Sequence, residues 1–278
     1  MKNTKINRTS TIVVAHPDDE ALWFSSLLEK VGRTIICFQD VPSRPDWSRG
    51  RLKSLKTYPK KNVISLGLTE SEVFSGATWP DPVPAEYGLI VQPSPGNTPG
   101  FSAELYKRNF EQLRHRLRSE LAGCRDVFTH NPWGEYGHEE HVQVFRAVDS
   151  IREKLGFRLW FSNYFSNKSY GLMLRYIAAI DSGHISLKTR PALGMRLQAH
   201  YTRNGCWTWY PDYEWPETET FIPWHGNLDA PPRAGRIIPM NAVRVEFGAD
   251  AGTEQSWRSL PRRMLRKARL AVLLRSSN

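Results

Sequence analysis

Short apolar runs alternate with amphipathic segments along most of the chain. The apolar runs are typical of buried strands and cover residues 11–14, 34–38, 62–66, 126–129 and 158–161. Segments with helical spacing of apolar residues cover residues 19–31, 51–58, 102–121, 138–148 and 187–198. Strands that alternate with helices are typical of a parallel sheet. We therefore predict an α/β fold with a Rossmann-like, mostly parallel sheet flanked by helices.

Charged residues and an imidazole directly follow the first predicted strand, in the sequence His16-Pro17-Asp18-Asp19-Glu20. Open α/β sheets bind ligands at the carboxyl ends of their strands. This group offers nitrogen and oxygen ligands for a divalent metal and a spare carboxylate that could act as a base. The alternative is that these acids only begin the following helix.

A second group of ligand-type residues follows the predicted strand 126–129. Residues 130–141 read His-Asn-Pro-Trp-Gly-Glu-Tyr-Gly-His-Glu-Glu-His. His138 and His141 share one face if a helix begins near His138, and they could then bind one ion. The spacing differs from the His-Glu-x-x-His motif of zinc proteases. Two predicted strands therefore carry candidate metal ligands at their carboxyl ends.

Together, the two groups resemble the PIG-L/LmbE family of zinc-dependent N-acetylglucosaminyl deacetylases. The resemblance covers about the first 155 residues, and the two groups occur in the family's order. It implies that His16, Asp19 and His141 bind the metal, which would be Zn²⁺ with Fe²⁺ as the alternative. It also implies that Asp18 is the general base that takes a proton from the attacking water.

The resemblance further implies two donors to the oxyanion that forms when an N-acetyl carbonyl is attacked. These donors are Tyr136 and His138, and His138 would also pass a proton to the departing amine. Where the family commonly has His-Pro-Asp-His, this chain has His-Glu-Glu-His at residues 138–141. Glu140 then takes the place of the aspartate that orients His138.

Two further positions are compared with the family. In the family, an arginine in this region helps to hold the substrate. Arg51 is the expected match in this chain, with Arg44 and Arg49 as alternatives. A solvated surface arginine is the other interpretation of Arg51. Near His200 the family often has a glutamine where this chain has Arg203, so we interpret His200 as structural.

The formal net charge of +10 is located in the two ends of the chain. Ten basic residues account for it: Lys2, Lys5, Arg8, Arg258, Arg262, Arg263, Arg266, Lys267, Arg269 and Arg275. Residues 9–255 have no net charge, and phosphate-cradling motifs such as Gly-x-Gly-x-x-Gly do not occur. We therefore expect no nucleic acid as a partner.

The chain has three cysteines, which are far apart and odd in number. This pattern gives no disulfide framework and favours a reducing, cytoplasmic compartment. No apolar stretch approaches the ~18 residues of a membrane span. We expect a single deacetylase domain, with a core at about residues 9–200, an aromatic-rich extension at about 201–255 and a basic helix at about 256–278.

The two C-terminal segments each have two interpretations. The aromatic side chains of residues 207–224 could stack on sugar rings or could cover a sheet edge. The predicted basic amphipathic helix at 256–278 could contact an anionic membrane surface, which would suit a lipid-linked substrate, or could dock on the body of the protein. Membrane contact would place the enzyme on the inner face of the membrane.

Three functions are compatible with the sequence. The first is removal of an N-acetyl group from an N-acetylated amino sugar in a glycan, glycolipid or glycoconjugate precursor. The second is a zinc amidase that acts on a non-sugar N-acyl substrate. The third is a catalytically silent, ligand-binding member of the fold. The metal-binding and acid–base residue types are all present, which favours an enzyme, and the resemblance favours the sugar substrate.

Overall fold

The computed structural model describes residues 6–74, 82–93, 99–177, 180, 183–226 and 237–245. The strands are β1 (Ser10–Val14), β2 (Arg33–Asp40), β3 (Val63–Thr69), β4 (Pro84–Ala85), β5 (Gly88–Leu89), β6 (Asp126–Thr129), β7 (Arg158–Ser162), β8 (Tyr164–Ser166), β9 (Ile185–Lys188), β10 (Thr218–Trp224) and β11 (Asn241–Val243). The helices are α1 (Asp19–Trp23), α2 (Pro45–Lys56), α3 (Ala103–Glu120), α4 (Glu139–Leu155), α5 (Tyr170–Ile177) and α6 (Pro191–Arg203).

A seven-stranded sheet forms the centre of the fold, in the order β3-β2-β1-β6-β7-β10-β9. The first five strands of this order are parallel, and β10 pairs antiparallel with both β7 and β9. The chain moves outward from β1 to β2 and β3, and β6 then returns to the other side of β1. Such a reversal opens a crevice at the carboxyl ends of the two central strands. The mostly parallel α/β fold predicted from the sequence is confirmed.

Alternate residues of the strands face two hydrophobic cores, as the pleat of a strand requires. Val13 of β1 packs in a core with residues of α3 and α4, whereas Ile12 and Val14 pack in a second core with residues of α1 and α6. The amphipathic pattern of residues 102–121 correctly predicts α3, and the Ser102 side chain caps it by accepting a hydrogen bond from the Leu105 N–H.

Helix α1 ends at Trp23, although the pattern predicts a helix to residue 31. Contacts from the distant end of the chain explain the difference. Glu219 of β10 accepts the N–H groups of Ser25 and Ser26 at 3.0 and 2.9 Å. The Trp215 indole donates to the carbonyl of Ala21, which would otherwise accept from Ser25. The Ser25 N–H and the Ala21 carbonyl would form the next hydrogen bond of the helix. Because both are bonded to other residues, the helix ends.

The predicted helix at residues 187–198 is also wrong at its start. Residues up to Lys188 belong to strand β9, and Pro191 begins α6 because proline is well suited to the first turn of a helix. No helix within the described residues is long and apolar enough to cross a membrane. The described residues as far as Val245 belong to one compact unit, and the predicted basic helix at 256–278 lies outside the described residues.

Candidate metal centre

The candidate site lies at the carboxyl ends of β1 and β6, in the crevice where the strand order reverses. His16 follows β1 and His130 follows β6. The Ala15 N–H donates to Nε2 of His130 at 2.8 Å, which ties the two strand ends together. His141 comes from the first turn of α4 and is fully buried at the same edge. The two groups of ligand-type residues found in the sequence therefore lie side by side.

The three ligands implied by the resemblance lie together, with matching separations. His16 Nδ1 lies 3.3 Å from Asp19 Oδ2 and 3.3 Å from His141 Nε2, and His141 Nε2 lies 3.3 Å from Asp19 Oδ1. Ligand atoms at zinc bond lengths of about 2.1 Å and tetrahedral angles are separated by roughly 3.4 Å. The two imidazole nitrogens have the spacing of two ligands of one tetrahedral ion, and the Asp19 carboxylate contacts each of them through a different oxygen.

Three sets of buried side chains each bring one ligand-type atom per residue within 4.8 Å of one another. These sets are His16, His138 and His141; Asp19, His130 and His141; and His16, Glu70 and Glu140. Hydrogen bonds argue against the set that contains His130. Both ring nitrogens of His130 are engaged, because Nε2 accepts the Ala15 N–H and Nδ1 lies 3.0 Å from Glu135. His130 therefore supports the site and offers no free nitrogen to a metal.

A carboxylate contacts the remote nitrogen of each candidate histidine ligand. Glu140 Oε2 lies 2.9 Å from His16 Nε2, and Glu135 Oε2 lies 2.8 Å from His141 Nδ1. Carboxylates in this position fix the orientation and tautomer of metal-binding histidines. They leave Nδ1 of His16 and Nε2 of His141 directed at Asp19.

The prediction that the Glu140 carboxylate orients His138 was wrong. The sequence resemblance assigns the Glu140 carboxylate to His138, but this carboxylate contacts His16 through Oε2 and accepts the Ser71 N–H and hydroxyl through Oε1, at 2.7 and 2.6 Å. Glu140 meets His138 only through its backbone N–H, which donates to His138 Nδ1 at 3.2 Å. The longer side chain of glutamate, compared with aspartate, spans the distance to His16 instead.

Glu135 is the main site residue that sequence reasoning missed. Its backbone adopts φ 48°, in a tight loop where Gly134 and Gly137 also have positive φ. A Cβ atom on Gly134 would lie 2.4 Å from the His138 carbonyl oxygen, so this loop requires glycine. Asn131 holds the loop by accepting the Glu135 N–H at 2.9 Å. The Gly-Glu-Tyr-Gly sequence is a turn signal, but it does not reveal where the glutamate side chain points.

The site contains a surplus of buried carboxylates. Burial lowers the pKa of His16, but Glu70, Asp19 and Glu140 outweigh this effect and raise it to about 10. Burial raises the pKa of Glu135, but His130 and the hydrogen bonds from His130 and His141 lower it to about 2. The carboxylates therefore draw positive charge into the site, and a divalent cation supplies such charge.

Asp18 adopts a backbone conformation that is unusual for a non-glycine residue. Its φ is 111°, and its N–H donates to the Glu20 carboxylate at 3.1 Å. Its own carboxylate accepts the N–H and hydroxyl of Thr208 through Oδ2, at 3.2 and 2.8 Å. Burial raises the pKa of Asp18 to about 8, with a further contribution from Asp19.

The two expected oxyanion donors border the same site. His138 caps α4, and its ring is parallel to that of His141 with centroids 4.7 Å apart. The Tyr136 ring lies edge-on to both, with centroids 5.7 and 5.3 Å away. Because a backbone N–H occupies Nδ1 of His138, its neutral ring carries the proton on Nε2. His138 is therefore a donor through Nε2.

Arg51 lies inside the protein, so its interpretation as a solvated surface residue was wrong. It is 3% exposed and pairs with Glu70, whose Oε1 also lies 3.4 Å from His16 Nε2. Burial lowers the pKa of Arg51, but Glu70 and, to a smaller extent, Asp18 outweigh this effect and raise it. Arg51 therefore places a permanent positive charge beside the carboxylates of the site.

The more distant candidates have structural contacts. His200 Nε2 lies 3.0 Å from the Ser54 carbonyl oxygen, which links α6 to α2. Several aromatic residues of 207–224 pack against the second core, namely Trp207, Trp209, Tyr213 and Phe221. Trp209 also contacts Tyr136, with centroids 4.7 Å apart. These rings cover one side of the site.

Comparisons with known proteins give similar structures but no match among family models or curated proteins. The zinc-inhibited form of teicoplanin deacetylase Orf2 has 10% identity and a TM-score of 0.46, over 77% of this chain and 97% of that one. The A40926 pseudoaglycone deacetylase Dbv21 has 13% identity and a TM-score of 0.43, over 78% and 97%. N,N'-diacetylchitobiose deacetylase from Pyrococcus horikoshii has 14% identity and a TM-score of 0.38, over 76% and 74%. All three of these similar structures are deacetylases.

Proposed function

We propose that this protein is a metal-dependent N-deacetylase that hydrolyses the N-acetyl group of an amino sugar in a glycan, glycolipid or glycoconjugate precursor. The observation that carries the proposal is that His16 Nδ1 and His141 Nε2 lie 3.3 Å apart, and that each also lies 3.3 Å from one of the two oxygens of the Asp19 carboxylate. The sequence resemblance described above supplies the substrate class.

The residues fit a zinc ion. Two imidazole nitrogens and one carboxylate suit Zn²⁺, and each imidazole is held by a carboxylate at its other nitrogen. Fe²⁺ is the alternative for the same donors. When bound, such an ion lowers the pKa of water toward ~7 and polarises a carbonyl group. Three protein ligands leave a fourth position for water or substrate.

Asp18 is our candidate general base. It directly precedes Asp19, and its hydrogen bonds with Thr208 go to Oδ2, so that Oδ1 is left to take the proton of the attacking water. A new C–O bond forms at the amide carbon while this proton moves to Asp18. When the C–N bond breaks, Asp18 passes the proton to the departing amine, and the products are acetate and the free amino sugar.

Tyr136 and His138 are our candidate oxyanion donors. The phenol O–H and the Nε2–H of His138 would both donate to the carbonyl oxygen as its charge develops. A doubly protonated His138 would lose the hydrogen bond between its Nδ1 and the Glu140 N–H, so we assign the proton of the leaving amine to Asp18. His138 then keeps one role, which is that of a hydrogen-bond donor.

The remaining features set the surroundings of the reaction. Arg51 is our candidate for holding the substrate or the base through its charge, because its pKa reflects both Asp18 and Glu70. The cysteines of the described residues are free thiols, which favours a cytoplasmic location. Contact with an anionic membrane through residues 256–278 remains a proposal from their basic, amphipathic sequence.

Acetate release tests the proposal. Purified protein loaded with one equivalent of Zn²⁺ is incubated with N-acetylglucosamine conjugates and with N-acyl amino acids, and free acetate and free amine are measured. We expect stoichiometric acetate and amine from at least one N-acetylglucosamine conjugate, and none after chelation. If only N-acyl amino acids were hydrolysed, the proposed substrate would change from an amino sugar to a non-sugar amide. Metal binding without hydrolysis of either class would contradict an enzymatic function.

A further inference from the structure

The segment Trp207–Trp209 lies next to the candidate site, although it is 190 residues from Asp18 in the sequence. It follows α6, where Gly205 has a positive φ of 73° and the Cys206 N–H donates to the Tyr201 carbonyl at 3.0 Å. This turn ends the helix and directs the chain toward the carboxyl end of β1. The aromatic-rich segment therefore reaches the site from a fixed helix end.

Trp209 fixes the far end of this segment. Its ring contacts that of Trp23 in α1 at a centroid distance of 5.3 Å, with the planes nearly perpendicular, and it contacts Tyr136 at 4.7 Å. Aromatic pairs of this kind stabilise a fixed arrangement of the rings beyond the effect of the area they bury. Thr208 is therefore held between an anchored helix end and an anchored indole ring.

Thr208 makes two hydrogen bonds to one carboxylate oxygen. Its N–H and its hydroxyl donate to Asp18 Oδ2 at 3.2 and 2.8 Å. Hydrogen bonds to an ionised carboxylate, which is the form in which Asp18 would act as the base, are about twice as strong as those between neutral groups. Thr208 itself is exposed to solvent, whereas Asp18 is buried. Both donors bind the same oxygen, Oδ2, and thereby restrict rotation of the Asp18 carboxylate.

Asp18 needs such support because its backbone is strained. A φ of 111° with ψ −28° is rarely adopted by residues with a Cβ atom and persists only where the surrounding structure holds it. Glu20 holds the backbone of Asp18 through the Asp18 N–H, and Tyr58 and Tyr201 in turn donate to Glu20 at 2.9 and 2.8 Å. Thr208 is the contact that holds the side chain.

We propose that Thr208 is a positioning residue that holds the Asp18 carboxylate in the orientation required for proton transfer. The inference rests on the proposed function, in which Asp18 is the base. Thr208 does not touch the metal ligands, so its effect is confined to the base. Thr208 lies between Trp207 and Trp209 in the sequence. The aromatic-rich region therefore supplies a positioning residue and also covers one side of the site.

The variants Thr208→Val and Thr208→Ser separate the hydroxyl from the packing of the side chain. Valine keeps the shape and the backbone N–H but removes the O–H donor, whereas serine keeps the donor. We expect Thr208→Val to lower kcat by about tenfold with KM and zinc affinity unchanged, because one charge-assisted hydrogen bond is lost. Thr208→Ser should retain most of the activity. Thr202→Val, at an exposed threonine of α6, is the matched control and should change nothing.

A double-mutant cycle with Asp18→Asn shows whether Thr208 acts through the base. We expect Thr208→Val to have no further effect on the residual rate of the Asp18→Asn protein, because the group that it positions is then inactive. An equal tenfold loss in both backgrounds, a loss confined to KM, or a weaker zinc affinity measured by chelator competition would overturn the inference. A wild-type protein that releases no acetate would contradict the proposed function itself, whereas an active wild type with a fully active Thr208→Val would contradict only the role of Thr208.

Discussion

Glu135 Oε2 lies 2.8 Å from His141 Nδ1, and the same oxygen lies 3.0 Å from His130 Nδ1. One carboxylate oxygen therefore orients two imidazole rings. His141 keeps Nε2 for a metal, whereas His130 uses Nε2 to accept the Ala15 N–H. This difference separates a candidate ligand from a supporting residue, although both histidines are fully buried at the same strand edge.

Glu135→Gln should weaken zinc binding while the fold is retained. The amide cannot present an acceptor to both histidines and also to the Asn131 N–H that Glu135 Oε1 accepts at 3.1 Å. Loss of such a supporting carboxylate typically costs about 10- to 100-fold in metal affinity. Competition with a chelator of known affinity measures the change.

The matched control for Glu135 is Glu219, which is equally buried but bonds to Ser25 and Ser26, away from the site. Glu219→Gln should lower the free energy of unfolding without changing zinc affinity. Equal losses of zinc affinity in the two variants would show that Glu135 acts through general stability.

His130→Ala should retain one equivalent of zinc, because neither nitrogen of His130 is free to bind it. The variant leaves the buried Ala15 N–H unpaired, which typically costs about 1–3 kcal/mol of the free energy of unfolding. Urea denaturation and metal analysis measure the two effects. His141→Ala is the comparison and should lose the metal, so a His130→Ala protein that also lost it would make His130 a ligand.

Asp18→Asn should keep the metal and lose most of the turnover. Asparagine cannot take a proton from water, and loss of a general base typically lowers the rate by about 10² to 10⁴. Metal content and kcat are measured on the same preparation. Near-normal turnover at full metal occupancy would show that Asp18 is not the general base.

Removal of the metal should destabilise the protein, because the buried carboxylates then lose a compensating charge. A ligand that binds only the folded state at about 100 times its Kd contributes about 2.7 kcal/mol. For a chain of this size, that energy corresponds to a decrease in Tm of several degrees. Thermal unfolding with and without a chelator, followed by zinc addition, measures it. An unchanged Tm would indicate that the site does not bind metal in the folded protein.

Much of the site follows from local sequence patterns. Residues 11–14 and 126–129 are recognisable as strands because they are short apolar runs, and parallel strands place their carboxyl ends at one sheet edge. His16 and His141 therefore lie at that edge even though 125 residues separate them. The direction of each ring is not predictable in this way.

The contacts that sequence reasoning missed are long-range or depend on loop geometry. Helix α1 stops early because Glu219 and Trp215, which lie 194 residues farther along the chain, bind its next backbone groups. Thr208 reaches Asp18 across 190 residues. Glu135 faces two histidines only because its loop has positive φ. Apolar periodicity carries no information about any of these contacts.

The central claim is that one metal ion binds between His16, Asp19 and His141, and anomalous X-ray diffraction from zinc-loaded crystals tests it most directly. Data collected above and below the zinc absorption edge locate the ion without assumptions about its ligands. We expect a single anomalous peak at about 2.0–2.2 Å from His16 Nδ1, His141 Nε2 and an oxygen of Asp19. A peak coordinated by His130, or by Glu70 and Glu140 at the other nitrogen of His16, would contradict the account.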